Sequence, residues 1–317
     1  GTLKLWDAET GTLVRSSAAH PGGVGALCPS PDGSSVLSAG ADGTLKKWSL
    51  GSGQCMQTLS GHAGAVGALC ITPDGKRAVS GGKDKTLRFW DLDSGVRERT
   101  MVAHGGPVNA MAAGPDGAFV VSGGGDSAIG VWEAAGGKRL TTMGEHGGPV
   151  LALAVSPDGK RIMSASTDKT IKLWRADTAA CVGTLQSAEG PRAISFTPDG
   201  NFGFAASGRT LQACQVSSEP AAGSFEGHKE AIAALCVSAD GGLAFTAGAD
   251  GIRCWELDWE YDFPEAKDWD EGAAPFAAAF LAVRRAQGRP KVLEEGEVDA
   301  LLAELGRRGF GWLKREG

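Results

Sequence analysis

Short runs of apolar and β-branched residues alternate with polar ones along most of the chain, for example over residues 66–72, 78–81, 86–91 and 96–101. Alternation with a period of two places every second side chain on one face, so each run predicts a half-buried strand. Turn chemistry separates the runs. A Pro-Asp-Gly tripeptide begins at Pro31, Pro73, Pro115, Pro157 and Pro198, and Ala239-Asp240-Gly241 takes its place near the end. Proline presets the backbone for a turn, aspartate bonds nearby amides, and glycine accepts the positive φ on the way out.

The pattern repeats. Trp6, Trp48, Trp90, Trp132 and Trp174 are 42 residues apart, and His20, His62, His104 and His146 keep the same step, each histidine lying 28 residues before a tryptophan. Four strands in a unit of about forty residues predict the blades of a β-propeller, each burying its faces against the next. The chain opens on the third strand of a unit, residues 2–6, and residues 8–16 supply a fourth. Six units follow, the last ending in an outer strand expected over 256–263. The expected fold is therefore an all-β propeller over residues 1–263, with six full blades plus half of a seventh. The half blade leads to the further expectation that its first two strands lie upstream. A short C-terminal helical extension is expected over 264–317, with amphipathic helices at 273–287 and 295–305.

Units that open on Gly61-His62 and close on Trp90-Asp91 resemble those of the WD-repeat propellers, and the resemblance covers residues 1–263. It implies one hydrogen-bonded network per blade, joining histidine, a strand serine or threonine, a turn aspartate and tryptophan. The positions that match are His20, Ser38, Asp42 and Trp48; His62, Ser80, Asp84 and Trp90; His104, Ser122, Asp126 and Trp132; His146, Ser164, Asp168 and Trp174. His228, Thr246, Asp250 and Trp255 make a fifth set, one residue shorter between aspartate and tryptophan. The resemblance also implies a non-catalytic scaffold or sensor that binds other proteins. Its tail is similar to the C-terminal region of some bacterial WD-repeat signalling proteins, which implies a partner protein or a domain of the same parent chain, such as an upstream protein kinase.

The unit between Trp174 and His228 has lost the set. Ser187 stands near the histidine slot, Phe204 near the serine slot, Gly208 near the aspartate slot, and Cys214 replaces the tryptophan. Two readings stay open: a docking notch, or a repeat that has drifted.

Composition narrows the function. Residues 1–255 hold 22 basic and 23 acidic side chains and residues 256–317 hold 9 and 14, so neither part carries the positive field that nucleic acid or an anionic membrane selects. All five histidines are used by the repeat, which leaves none for a catalytic triad or a zinc site. No cofactor is expected. Seven cysteines without paired spacing favour reduced thiols and a cytoplasmic setting, and Cys28, Cys70 and Cys236 share one strand position expected in the core.

The loops near the histidines, such as Ala63-Gly64-Ala65 and Gly105-Gly106-Pro107, are plain. Lys83, Asn109, Thr167, Arg192, Lys229 and Glu230 stand out there as candidates for contact with a partner protein, or as ordinary solvated positions. A propeller binding a small ligand or performing chemistry in its central channel, and an array acting only as a spacer, remain the alternatives.

Overall fold

The Pro-Asp-Gly tripeptides close hairpins as their chemistry requires. At the turn after Thr72, the Gly75 amide donates to the Thr72 carbonyl (2.8 Å) and Gly75 has φ 70°. The Asp74 carboxylate accepts from the Thr72 hydroxyl (2.6 Å) and the Lys76 amide (3.0 Å). These bonds hold Asp74 below the usual carboxylate range, the Thr72 hydroxyl contributing most. Ser30, Ser156 and Ser238 do the same for Asp32, Asp158 and Asp240.

The computed structural model describes residues 1–8, 10–216 and 222–257. The strands β1 (Thr2–Trp6) and β2 (Leu13–Ala18) form a two-stranded sheet. Blade one contains β3 (Val24–Pro29), β4 (Ser35–Gly40), β5 (Thr44–Ser49) and β6 (Cys55–Ser60). Blade two contains β7 (Val66–Ile71), β8 (Arg77–Gly82), β9 (Thr86–Asp91) and β10 (Arg97–Val102). Blade three contains β11 (Val108–Ala113), β12 (Phe119–Gly124), β13 (Ile129–Glu133) and β14 (Arg139–Met143). Blade four contains β15 (Val150–Val155), β16 (Arg161–Ser166), β17 (Thr170–Arg175) and β18 (Cys181–Gln186). Blade five contains β19 (Ala193–Phe196), β20 (Phe202–Ser207), β21 (Thr210–Gln215) and β22 (Ala222–Glu226). Blade six contains β23 (Ile232–Val237), β24 (Leu243–Gly248) and β25 (Gly251–Glu256). Each sheet is an antiparallel meander.

The core lies between blades rather than within them. Leu37 and Leu45 of blade one pack with Val66, Leu69 and Ile71 of blade two. Val79 and Leu87 of blade two pack in turn with Val108 and Val120 of blade three. Such contact requires small residues on the second strand. A Cβ on Gly81 would lie 2.4 Å from Val108 Cγ1, and one on Gly123 would lie 2.5 Å from Val150 Cγ1. Ala39 and Ala165 hold the same register in blades one and four.

The expected architecture needs correction. Five blades are four-stranded, the sixth has three strands among the described residues, and the half blade is a separate two-stranded sheet. No described residue is helical, so a helical extension is not part of the described fold. The physical reason is that turns interrupt the described sequence every few residues, leaving no stretch long enough to nucleate a helix. The helices expected at 273–287 and 295–305, and most of the outer strand expected over 256–263, lie outside the described residues.

The turn between the second and third strands carries a non-glycine residue in the left-handed region at Lys85 (φ 66°), Ser127 (φ 69°) and Lys169 (φ 66°), where blade one has Gly43 (φ 77°). Left-handed backbone costs an L-residue about 1–2 kcal/mol, part of which glycine returns as extra chain entropy. Lys85→Gly is therefore expected to raise stability by up to about 1 kcal/mol, read as an increase in the urea midpoint; a lower midpoint would contradict this account of the turn.

Candidate functional site

Five blades carry the same polar set. Histidine Nδ1 lies 2.7–3.0 Å from the turn aspartate in His20–Asp42, His62–Asp84, His104–Asp126, His146–Asp168 and His228–Asp250. Nε2 lies 2.7–2.8 Å from Ser38, Ser80, Ser122, Ser164 or Thr246. The indole N–H of Trp48, Trp90, Trp132, Trp174 or Trp255 donates to the same hydroxyl at 2.8 Å. A carboxylate only accepts, so Nδ1 carries the ring proton and Nε2 accepts the hydroxyl hydrogen. The chain of donors runs from tryptophan through hydroxyl and imidazole to carboxylate.

This order resembles a nucleophile, base and orienting acid, but the hydroxyl groups are enclosed. Ser38, Ser80, Ser122 and Ser164 are 0% exposed and Thr246 is 1% exposed. No substrate atom reaches such an oxygen, and the set is structural.

What the set positions is a surface. The aspartate also accepts the amide of the residue after histidine: Ala63 to Asp84 at 3.0 Å, Gly105 to Asp126 at 2.6 Å, Gly147 to Asp168 and Lys229 to Asp250 at 2.8 Å. In blade one that residue is Pro21, which has no amide hydrogen, and Asp42 keeps the Thr44 amide and hydroxyl bonds that Asp84 and Asp168 also receive from Thr86 and Thr170. Each network therefore ties the loop entering a blade to the turn between its second and third strands.

Burial works against charge on Asp84 and Asp168, yet bonds from Thr86, the Ala63 amide and His62, and from Thr170, His146 and the Gly147 amide, hold both well below the usual carboxylate range. The His228 bond does so for Asp250. Burial lowers His62 and His146, an effect the neighbouring aspartates only partly offset. A histidine depressed in the folded state is charged more readily in the unfolded chain, so folding stability is greatest above the unfolded value of about 6.5. It is lost as pH falls through that value towards the folded one. The aspartates keep their contribution above about pH 4 and lose it as pH falls through their depressed values. The melting temperature is expected to fall between pH 7.5 and 5.5, and again below about 4; a rise over the first interval would contradict the buried neutral histidines.

Of the candidate contact residues, Lys83, Thr167, Lys229 and Glu230 fall in the loops and turns of blades that carry the set, and Arg192 falls in the loop entering blade five, which lacks it. Lys83, Thr167, Arg192, Lys229 and Glu230 are exposed. Lys83 and Thr167 lie on the turns facing the Gly64 and Gly148 loops. Asn109 differs, being half-buried with its side-chain amide donating to the Val150 carbonyl of the next blade (3.0 Å).

Sequence reasoning missed Arg88. It is 8% exposed, its Nη2 reaches Asp84 at 3.5 Å, and its Nε and Nη1 have no partner among the described residues. The signal was available in the basic residues Lys46, Arg88 and Lys172, which share one place in the 42-residue repeat on the third strands.

Blade five rebuilds its polar end. The register places Ala205, not Phe204, opposite Gln212, where the other blades have their serine or threonine. Its turn is the two residues between paired Ser207 and Thr210, as long as the blade-six turn that holds Asp250, but Arg209 stands at the aspartate's place. Ser187 instead lies 2.5 Å from the Ser207 hydroxyl, which donates to the Glu189 carbonyl (2.9 Å). Cys214 fills the tryptophan slot, and burial pushes its thiol up to about 12. The cysteines expected in the core divide: Cys70 is buried and Cys28 half-buried, but Cys236 is exposed because no further blade covers β23 among the described residues.

Among the described residues no cluster of histidine, cysteine and carboxylate side chains is placed to hold a metal ion, and no helix is long and apolar enough to cross a membrane. Successive antiparallel blades, each locked by a His, Ser/Thr, Asp and Trp set, define a WD-repeat β-propeller, a fold that is typically non-catalytic. The family described as WD domain, G-beta repeat matches residues 11–49, 53–91, 95–133, 137–175 and 221–256, more than half of the chain, and the chain belongs to it. The matched residues pass over 176–220, where blade five has lost the set. A comparison with curated proteins gives no match.

Proposed function

We propose that the protein is a non-catalytic scaffold or sensor module that binds another protein, or a domain of its own parent chain, within a bacterial signalling protein of the cytoplasm. The observation that carries this is the loop surface: in four blades the turn aspartate fixes the backbone amide after the histidine, exposed Lys83, Thr167, Lys229 and Glu230 stand in those loops and turns, and exposed Arg192 stands in the loop that enters blade five. A rigid surface loses little entropy on binding, which favours recognition by a few well-placed side chains. Asn109 supports the surface through Val150 rather than presenting a free amide.

The experiment is affinity capture from the native cell with the whole chain and with a Lys83→Glu, Arg192→Glu, Lys229→Glu variant. The expected result is a partner retained by the first and weakened about ten-fold or more in the second, with an unchanged melting temperature. Equal capture by both moves the site off this surface, and no capture by either favours the spacer reading.

A further inference from the structure

Blade two holds more positive charge at its loop end than its own acceptors serve. Arg88 on β9 is buried, and its Nε and Nη1 are enclosed without a partner among the described residues. Its Nη2 reaches only Asp84, at 3.5 Å, and Asp84 already accepts from His62, Thr86 and the Ala63 amide. A Cβ on Gly61 would lie 2.6 Å from Arg88 Nη1, 3.1 Å from Nη1 of the exposed Arg97 and 3.2 Å from the Trp90 indole. The two guanidinium groups therefore converge above Gly61. The backbone there is not left-handed, so glycine supplies room rather than conformational freedom. Burial lowers His62, and the charges of Arg88 and Arg97 act in the same direction.

Four other blades settle the same place. In blade one, Lys46 Nζ donates to the Ala19 carbonyl (2.7 Å). In blade three, Gly130 replaces the cation, and Arg139, in the register of Arg97, lies over the Trp132 ring (4.4 Å to its centre) and donates to the Ala103 carbonyl. In blade six, Arg253 lies beside Asp250 with its side chain 40% exposed to water. Blade four is the most informative. Glu145 stands where blade two has Gly61, and its carboxylate lies 4.0 Å from Nζ of Lys172, which stands where blade two has Arg88.

We propose that Arg88 and Arg97 form a receptor for one carboxylate, an aspartate or glutamate side chain of the partner protein, seated over Gly61 where blade four carries the carboxylate of its own Glu145. This names the partner's chemistry at one point of the loop surface and so rests on the function proposed above. The two Nη1 groups offer N–H donors to the two oxygens of a carboxylate, and such bonds are strengthened by charge on both sides. An enclosed pair is also screened less by salt than one in open solvent. The anion removes the cost of burying a charged donor without an acceptor. Arg97, being exposed, swings outward to admit it and returns over it. Charge favours a carboxylate over a phosphoryl group. Arg88, Arg97 and Asp84 together leave one positive charge, which a carboxylate balances, whereas a phosphate ester brings about 1.5 to 2 negative charges.

The probe is acetate, replacing chloride at constant ionic strength and neutral pH in a solution of the whole chain. The Nε–H signal of Arg88, assigned by its loss in Arg88→Lys, is followed by nuclear magnetic resonance. A saturable shift in the millimolar range is expected, with affinity weakened about ten-fold or more by Arg97→Ala. Gly61→Ala keeps both arginines but puts a methyl group where the carboxylate sits, and is expected to abolish the shift. Lys76→Ala removes the same charge from the exposed turn at the other end of β8 and is expected to leave it unchanged. Melting temperatures in chloride show which variants are folded, and Arg97→Ala, at an exposed position, carries the test if Gly61→Ala is not. Absence of a saturable shift, binding undiminished by a folded Gly61→Ala, or equal weakening by Arg97→Ala and Lys76→Ala overturns the proposal. So does inorganic phosphate binding ten-fold or more tighter than acetate, since that would assign the place to a phosphoryl group. Acetate needs no partner, so failure here leaves the loop surface standing, and failure of partner capture leaves this titration unaffected.

Discussion

Asp84→Ala lowers stability by about 3–5 kcal/mol, while Asp126→Ala, at the same place in the next blade, costs about 1–3 kcal/mol. Both remove the acceptor for a histidine Nδ1–H and for the amide that follows it. Asp84 additionally faces Arg88, a guanidinium buried to the same degree as its neighbours and already short of partners. Truncating the carboxylate leaves that charge enclosed without a counterion, the costly way to break a buried pair. Blade three has Gly130 in the register of Arg88, so nothing comparable is stranded. Urea unfolding of the two variants measures the difference, and equal losses would show that Arg88 finds other partners once Asp84 is gone.

Trp90→Ala costs about 3–5 kcal/mol, the range for deleting a buried tryptophan, and Trp6→Ala costs less than about 1 kcal/mol. Trp90 is 1% exposed, donates to Ser80 at 2.8 Å, and packs in the cluster that joins blades one and two. Its removal opens a cavity and leaves Ser80 without its donor. Trp6 holds the same place in the repeat but is 43% exposed. The contrast separates a tryptophan that works through its surroundings from one that only shares the spacing. A large loss on Trp6→Ala would mean that the half blade is packed as fully as the others.

Most of the fold was legible because each blade solves one packing problem with one sequence pattern. The 42-residue step of tryptophan and histidine gave the blades, and their 22-residue spacing to aspartate gave all five polar sets. Where the turn length changes, spacing alone misleads. The short turn between Ser207 and Thr210 shifts the register so that Ala205 occupies the serine place assigned to Phe204. In blade six the short turn between Gly248 and Gly251 removes a residue yet keeps Asp250 on His228, because the missing position follows the aspartate. Burial was less legible than contact. Cys70 and Cys236 share a strand position, as do Leu27 and Leu69, and only their place at an end or inside the array decides exposure. Asn109 read as a surface candidate because its acceptor, the Val150 carbonyl, is a backbone group that sequence does not mark.

Hydrogen exchange of the tryptophan indole N–H groups, followed by nuclear magnetic resonance on the whole chain, tests the repeated network and its open end together. The account predicts slow exchange at Trp48, Trp90, Trp132, Trp174 and Trp255, each donating to an enclosed hydroxyl, and fast exchange at Trp6. Fast exchange at the five, or protection of Trp6 equal to theirs, would contradict it.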